Sequence, residues 1–506
     1  MRTAARTGGE MTVAVLTGIA FVLVLGIMVG AARPRRASGV SDFSVAARAV
    51  PPWWNGAAIA SEATSAAACL GLAGLIATRG GPMLWYPLGA TAGFVVILAL
   101  VVAPLRRSGT YTLPDFAEWR LRSVRLRRFA TFIVLVIGLA FMVAQFHAAG
   151  MVVRLLTGLP PWLGWVAIAA AALVVACAGG LGSVTSVLAA QFWLKLVVFV
   201  GVGAVCWWAA GARSVTWLEG AYRAGEPGLA GTGDPSLPGV LTVLAACALG
   251  TMGLPHVIVR VYTNSDGRGA RRSIVAAQAM LAVFCVVPPL YGILGHAHVR
   301  EGAADEIVLL LPARLLPGVV GDVLTGALAA GAFAAFLATT AGVLVSVGGA
   351  VSACLTRAGV RAFRAAVCLV LLAALALTAV TGPQASVALV LLGFSLSAAT
   401  LCPLLVLGIW WRRLTDVGVA AGFALGGGVT AVLVIEEQAG VKMGVLTSNP
   451  APVAVPVAFA AMVMISLVTP GRMPRGVGRM MARMHVPEHL AGPPAYRSSQ
   501  QGDHSS

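Results

Sequence analysis

Hydroxyl and carboxylate groups interrupt an otherwise apolar stretch near the start of the sequence. Residues 60–66 read Ala-Ser-Glu-Ala-Thr-Ser-Ala, which places Glu62 among the hydroxyls of Ser61, Thr64 and Ser65. A carboxylate beside unwound backbone in an apolar setting can hold a cation directly, or can carry a proton. Two other roles stay open, namely a structural one, in which free backbone amides satisfy the carboxylate, and contact with a bound solute.

A second interruption lies at residues 250–256, which read Gly-Thr-Met-Gly-Leu-Pro-His. Pro255 lacks an amide proton, so a helix through this point leaves an upstream carbonyl without its donor. His256 and Arg260 are one helical turn apart and therefore share a face. For Arg260 the sequence leaves two roles open: an anchor at the cytoplasmic end of its helix, on carbonyls or Asp266, and attraction of an anion at an inner gate.

Composition indicates that lipid surrounds the elements carrying these residues. Hydrophobic residues make up 59% of the 506 positions and charged residues only 10%, whereas soluble proteins have about 25% charged residues. The net charge of +17 is concentrated in short gaps between apolar runs, which indicates cytoplasmic loops and not a nucleic-acid partner. The eight cysteines lie in or beside apolar runs without CxxC spacing, so neither a disulfide framework nor a metal site is indicated.

About thirteen apolar runs are long enough to cross a bilayer, which takes about 20 residues. They are 11–31, 55–78, 84–104, 128–155, 160–182, 187–210, 238–262, 274–297, 320–352, 363–381, 385–411, 418–436 and 452–469. Arginines cluster in alternate gaps, which predicts an N-terminus outside the cell and a C-terminus in the cytoplasm. The segment after the last run is basic and then polar, and is predicted to be disordered.

The two interruptions fall in the second and seventh of these runs, five helices apart. Such paired interruptions are typical of transporters built from two inverted repeats, with a binding site between the repeats. The predicted organisation begins with an N-terminal helix and cytoplasmic loop (1–54), followed by a core of two repeats (55–411, with the first repeat at 55–210 and the second at 238–411). Two C-terminal helices (412–469) and a tail (470–506) follow the core.

Six motifs in order make the sequence resemble the sodium:solute symporter family over about residues 40–430. The motifs are Asp42–Arg48 with Trp54-Asn55-Gly56, Tyr111–Phe116, Gly179-Gly180-Leu181 with Thr185 and Gln191, Gly253-Leu254-Pro255-His256 with Arg260, Ala334–Thr339 with Gly342, and Pro403 with Trp410–Arg413. Within the family the sequence looks most like the acetate and short-chain monocarboxylate symporters. That likeness rests on Asn55-Gly56 leading into Ser65-Ala66-Ala67 and Leu70-Gly71, and on the Gly-Leu-Pro-His-x-x-x-Arg run.

The resemblance implies an all-α membrane protein with a LeuT-like, five-plus-five inverted-repeat core, two broken helices and alternating access. It also implies a sodium ion held by main-chain carbonyls of Ser61, Thr64 and Ala335 together with two side-chain hydroxyls. Here the first hydroxyl position is Ala338, and only Thr339 remains. With one oxygen fewer for the ion, sodium and a proton both stay open as the coupling ion.

A small solute, either acetate or another short-chain monocarboxylate, is the substrate that the resemblance favours. The expected substrate contacts are Ser65, Ala67, Gly250, Met252 and Gly253. Glu62 is placed in the cation-binding set, and His256 and Arg260 are placed at a gate or an anchor. Lys195, in an apolar run, is expected to extend its long stem to the membrane interface.

The sequence leaves three functional classes open: coupled transport, a transporter-like sensor and a membrane enzyme. The sequence shows no HExxH, paired-acid or nucleophile-elbow pattern, and no appended signalling domain, which favours transport. The alternative solutes are an amino acid such as proline, urea, a vitamin or a sugar. Beyond the solute, the coupling ion and the lipid bilayer, no cofactor or protein partner is expected. Abundant Ala, Gly and Arg with little Lys indicate a GC-rich bacterial genome and therefore a plasma membrane.

Overall fold

A computed structural model describes most of the chain. The described residues are 2–32, 46–79, 85–211, 237–299, 306–354, 359–382, 386–438 and 450–487. Within these ranges the secondary structure consists of α-helices, short 3₁₀ turns and one π-helical turn, without a β-strand. The predicted all-α class is therefore confirmed.

The helices up to residue 211 are α1 (Arg2–Ala31), α2 (Pro52–Ala63), α3 (Ala66–Arg79), α4 (Trp85–Val96), α5 (Val102–Ser108), α6 (Leu113–Leu121), α7 (Val124–Thr157) and α8 (Trp162–Ala210). A π-helical turn, Ile97–Val101, joins α4 to α5. α8 contains non-helical backbone at Gly179 and Gly180. This bend lies at the boundary between two predicted membrane spans, so α8 contains both of them.

The later helices are α9 (Leu237–Gly253), α10 (Pro255–Val259), α11 (Gly267–Phe284), α12 (Val287–His298), α13 (Ile307–Leu315), α14 (Val319–Ser352), α15 (Val360–Val380), α16 (Ser386–Ala399), α17 (Leu401–Trp410), α18 (Asp416–Gln438), α19 (Ala451–Val468) and α20 (Val477–His485). By length and composition, ten described helices can cross a membrane, or eleven if the bent pair Leu244–Gly253 and Pro255–Thr263 is one span. Each of the thirteen predicted runs overlaps a helix, and thirteen spans stay a prediction.

The central helix of the bundle is α14. In the most apolar stretch of 18 residues in α14, 94% of the residues are buried inside the protein. α14 packs against α1, α2, α7, α8 and α15. Its sequence is rich in Gly and Ala, and small residues let neighbouring helix backbones approach closely within a membrane. The residues predicted to bind the coupling ion from this helix therefore lie in the middle of the protein.

Short helix α6 lies between two spans and carries the acidic residues of the loop after Tyr111. Arg127 forms ion pairs with Asp115 at 3.0 Å and with Glu118 at 2.8 Å. Burial raises the pKa of the Asp115 carboxyl, although hydrogen bonding to Thr112 and the charge of Arg127 act in the opposite direction. These pairs fasten α6 to the first turn of α7, which is an arginine-rich end of the bundle.

The prediction of a disordered tail is wrong for its first part, because α20 forms there. Met480, Met481 and Met484 are buried on one face of α20, and α20 packs against α5. The His485 ring lies edge-to-face with the Trp410 ring, with centroids 4.9 Å apart. Met480 and Met481 lie four and three residues before Met484, which is the spacing of an amphipathic surface helix. The arginines between the methionines made this helical pattern hard to recognise in the sequence. Residues 488–506 lie outside the described residues.

Candidate binding site between two broken helices

The first break separates α2 from α3, as the polar residues at 61–65 predicted. α2 ends at Ala63, and Thr64 has φ −95° and ψ 61°, which is not helical. The Thr64 hydroxyl donates a hydrogen bond to the carbonyl oxygen of Ala60 at 2.7 Å. Because the helix stops here, main-chain carbonyls near its end lose their normal helical donors.

The second break separates α9 from α10, as Pro255 predicted. Leu254 is extended, with φ −63° and ψ 118°, and the chain bends by 46° at this point. α10 has only five residues and continues into a 3₁₀ turn, Arg260–Thr263. The two breaks thus occur in the second and seventh predicted spans.

A cavity of about 130 Å³ lies between the two breaks. It is smaller than the roughly 300–1,000 Å³ of pockets for drug-sized ligands, so it suits a small solute. Its wall is formed by Glu62, Ala63, Thr64, Ser65, Leu72, Leu75, Pro87, Ala90, Thr91, Phe94, Phe141, Cys247, Leu254, His256, Leu281, Phe284, Cys285, Pro288, Val390, Leu391 and Phe394. Most of these side chains are aliphatic or aromatic, and the polar ones are concentrated at the breaks.

Of the predicted substrate contacts, Ser65 lies in the cavity wall. Its hydroxyl donates to Gln145 Oε1 at 3.1 Å. Ala67 belongs to the first turn of α3, and its side chain lies outside the described part of the chain. At the second break, Cys247, Leu254 and His256 form the wall.

The other three predicted contacts, Gly250, Met252 and Gly253, are not among the residues that form this wall. The Gly250 carbonyl accepts a hydrogen bond from Ser397 Oγ at 2.8 Å. A Cβ added at Gly250 would lie 2.6 Å from the Phe394 carbonyl oxygen, and one at Gly253 would lie 2.6 Å from Ser397 Oγ. The glycines therefore let α9 approach α16 closely.

Glu62 and Arg260 form a buried ion pair that joins the two breaks. Arg260 Nε donates to Glu62 Oε2 at 3.0 Å, and both side chains are fully buried. Arg260 Nη1 also donates to Thr185 Oγ1 at 2.6 Å. Glu62 is also one of the residues that form the cavity wall.

The predicted partners of Arg260, carbonyls or Asp266, are wrong, because its guanidinium donates to Glu62 and Thr185. Asp266 instead caps α11 and accepts from the backbone amide of Gly269 at 2.6 Å. The prediction failed because the true partner, Glu62, is 198 residues away in the sequence. Local spacing carries no signal for a pair at such a separation.

The prediction that Lys195 reaches the membrane interface is also wrong, because its side chain is fully buried. Its ammonium donates to the carbonyl oxygen of Ser61 at 2.5 Å and to that of Thr64 at 2.8 Å. One signal was available: Lys195 lies 15 residues before the end of α8 at Ala210, or ~22 Å along a helix. A lysine stem cannot span that distance.

The expected cation ligands from α14 are all buried. Ala335, Ala338 and Thr339 have 1%, 0% and 0% exposure. Within the described residues the Thr339 hydroxyl has no hydrogen-bond partner. Gly342, one helical turn on, accommodates Glu62, since a Cβ there would overlap Glu62 Oε1.

Asn55 is a structural residue whose role the sequence did not reveal. Its amide nitrogen donates to the Arg260 carbonyl oxygen at 3.0 Å and to Asn264 Oδ1 at 2.8 Å. Asn55 therefore fastens α2 to the chain just after α10. The signal for it was the Asn-Gly pair quoted in the family motif, which gave no indication of the partner.

Comparison with known proteins decides the class. Residues 43–426 match the sequence model of the sodium:solute symporter family. The match covers most of the chain. The chain belongs to this family. A relative from Bacillus subtilis (strain 168), the uncharacterized symporter YwcA, is 28% identical over 424 residues, which cover 79% of this chain and 82% of the relative.

Solved transporter structures share the fold of this symporter. A Na⁺-coupled sialic acid symporter in a substrate-bound, outward-open state has a TM-score of 0.75 at 14% identity, covering 90% of this chain and 97% of that one. Mhp1, a nucleobase-cation-symport-1 family transporter in a closed conformation, has a TM-score of 0.57 at 14% identity, covering 87% and 97%. The LeuT-like fold class is thereby confirmed.

Family membership makes the chain a multi-pass membrane symporter and not an enzyme. The family supports sodium as the coupling ion and a small molecule as the solute. Among the described residues, no group of three or more His, Cys, Asp and Glu side chains is placed to hold a metal ion.

Proposed function

We propose that this symporter carries a short-chain monocarboxylate, with acetate as the first candidate, by alternating access through the cavity between its two breaks. The halves that alternate are the inverted repeats 55–210 and 238–411. Sodium, or a proton, is the coupling ion in this proposal. The observation that carries it is a surplus of buried positive charge beside a small, largely apolar cavity.

Among the described residues at the breaks, positive charges outnumber negative ones. One carboxylate, Glu62, lies there with two cations, Arg260 and Lys195, which leaves a surplus of one positive charge. A buried surplus charge is costly in a low-dielectric interior. An anionic solute in the adjacent cavity offsets that surplus, whereas a neutral solute does not.

The cavity wall offers an apolar surface and a few hydrogen-bond donors. α3 has 14 residues and begins directly after Ser65, so the positive end of its dipole lies at the wall and favours a carboxylate. The His256 ring lies edge-to-face with Phe141, with centroids 4.9 Å apart. Aromatic and aliphatic groups suit a methyl or ethyl group, and the small number of donors and acceptors disfavours a sugar.

The proposed placement in the cell follows from the arginines. The N-terminus lies outside, the C-terminus lies in the cytoplasm, and the membrane is a bacterial plasma membrane. The arginine-rich end of the bundle at α6, α7 and α20 then faces the cytoplasm, which agrees with the excess of basic residues in cytoplasmic segments.

Exchange of labelled acetate in proteoliposomes tests the choice of solute. Vesicles are loaded with unlabelled acetate and given labelled acetate outside, with equal sodium and equal pH on both sides, so that no gradient is needed. Unlabelled propionate, acetamide, proline, urea and glucose are then added as competitors. Acetamide is the critical control because it has nearly the shape of acetate without the charge.

We expect acetate and propionate to suppress the exchange and acetamide to leave it unchanged. Equal suppression by acetamide would show that charge is not recognised and would remove the reason for choosing an anion. Suppression by proline, urea or glucose but not by propionate would assign the symporter to one of those solutes.

A further inference from the structure

The Lys195 ammonium lies where the resemblance places the coupling ion. It donates to the carbonyl oxygens of Ser61 and Thr64 at 2.5 and 2.8 Å, which are two of the three main-chain ligands expected for sodium. Both carbonyls belong to the end of α2, where the helix dipole is negative and favours a cation. Lys195 is fully buried, so this contact is not a surface encounter.

Other charged and aromatic groups surround this ammonium. Glu62 on α2 interacts electrostatically with both Lys195 and Arg260. The Phe284 ring of α11 has its centroid 6.0 Å from Lys195 Nζ, which is within the range of a cation–π contact. The ammonium is therefore stabilised by two carbonyls, a nearby carboxylate and an aromatic ring.

Two other oxygens of residues expected at the sodium site are also buried. Ser61 Oγ and Thr339 Oγ1 are buried and have no hydrogen-bond partner among the described residues. Ala338 removes one of the two hydroxyls expected from α14. The carbonyl ligands for sodium are therefore present, but a cation of the protein is already bound to two of them.

Sodium and the Lys195 ammonium cannot hold the same two carbonyls together. Two unit charges about 4 Å apart in an effective dielectric of about 20 repel strongly enough to weaken binding by roughly a thousandfold. The surplus charge of +1 at the breaks would also rise to +2 with sodium added. One cation must therefore leave for the other to bind.

We propose that Lys195 is a tethered cation that competes with sodium for the carbonyl oxygens of Ser61 and Thr64. Sodium then binds at the first break only when the ammonium moves away, so Lys195 sets the sodium concentration that the symporter needs. This inference rests on the proposed function only in taking the first break as the coupling-ion site. It does not depend on which solute is carried.

Sodium-dependent thermal stabilisation of the purified full-length protein tests the competition without transport. Melting is measured against sodium at constant ionic strength, with choline as the replacement ion, because a ligand that binds the folded state raises its stability with concentration. The variants are Lys195→Met, which removes the charge and the donor, Lys195→Gln, which removes only the charge, and Lys195→Arg, which keeps the charge. Lys195→Gln serves if Lys195→Met does not fold.

We expect the sodium concentration for half-maximal stabilisation to fall at least tenfold in Lys195→Met, to fall in Lys195→Gln, and to stay near the wild-type value in Lys195→Arg. Adding Thr339→Val to the uncharged variant should raise this sodium concentration again. That result would assign the effect to the sodium site at the first break. A purely structural role for Lys195 would lower the melting temperature without changing the sodium dependence.

An unchanged half-maximal concentration in the uncharged variants, or no stabilisation of them by sodium, would overturn the competition. The competition would also be overturned if Thr339→Val left the half-maximal sodium concentration of the uncharged variant unchanged. Failure of acetate exchange, with the sodium shift present, would instead contradict the proposed solute and leave the role of Lys195 standing.

Discussion

Arg260 and Glu62 join the two broken helices of this symporter through one ion pair, with Nε and Oε2 3.0 Å apart and both side chains fully buried. Glu62 lies in the last turn of α2, and Arg260 begins the 3₁₀ turn after α10. Glu62 belongs to the first proposed repeat and Arg260 to the second. In the proposed alternating-access cycle, the pair therefore connects the two halves that move relative to each other.

Removal of one member of this pair should destabilise the protein strongly. Glu62→Gln leaves Arg260 without its carboxylate, and Arg260→Gln leaves Glu62 unpaired. Breaking a buried pair in this way costs about 3–5 kcal/mol. The double variant should lose less than the sum of the single losses, because no unpaired charge of the pair remains. Unfolding in detergent measures the three values, and strictly additive losses would show that the two side chains are not coupled.

Gly342→Ala should disturb the same pair through α14. The added Cβ would overlap Glu62 Oε1, so either the carboxylate or the helix must shift. Gly349→Ala, on the same helix, is the matched control, because a Cβ there meets its nearest atoms at 4.0 Å. Alanine is favoured over glycine inside a helix by about 1 kcal/mol. We expect a lower melting temperature for Gly342→Ala and an unchanged or higher one for Gly349→Ala; equal values would contradict the close approach.

Filling the cavity should abolish transport without unfolding the protein. Ala90→Trp places an indole in the cavity wall. Leu88→Trp, two residues earlier on α4, is the control, because Leu88 is 52% exposed on the outside of the bundle. Uptake of labelled acetate should fall at least tenfold in Ala90→Trp and stay near wild type in Leu88→Trp. Normal uptake by correctly inserted Ala90→Trp would place the solute path elsewhere.

The docking of α20 should depend on Met484. This side chain is fully buried, so Met484→Asp buries a carboxylate, which costs several kcal/mol without a partner. That cost exceeds what a nine-residue helix can recover by packing, so α20 should detach. Ala482→Asp, at an exposed position of the same helix, is the control. Trypsin should cut at Arg479 and Arg483 faster in Met484→Asp than in Ala482→Asp; equal rates would show that Met484 does not hold α20 in place.

The sequence predicted the breaks well because their signals are local. A run of polar residues at 61–65 and a proline at 255 each disrupt a helix by themselves. The ion pairs of Asp115 and Glu118 were also predictable, since Arg127 lies only 9 to 12 residues away. Residues that depend on close approach between distant segments were not predictable.

Lys195 and Arg260 show why distant pairs escaped prediction. Each lies in an apolar run of the sequence, where a long side chain can either reach the interface or pair internally, and only the packed structure distinguishes these outcomes. Lys195 is 134 residues from Ser61, and Arg260 is 198 residues from Glu62. The predicted contacts at Gly250 and Gly253 illustrate the same limit, because glycine is equally suited to a binding site and to close helix packing.

Accumulation of labelled acetate in proteoliposomes under an imposed sodium gradient tests whether the symporter couples monocarboxylate uptake to sodium. We expect acetate to accumulate above its external concentration with sodium outside, and we expect Ala90→Trp, but not Leu88→Trp, to abolish this accumulation. Accumulation driven only by a proton gradient would assign the coupling to a proton instead of sodium. No accumulation under either gradient, by protein that is folded and inserted, would contradict the assignment of a monocarboxylate as the solute.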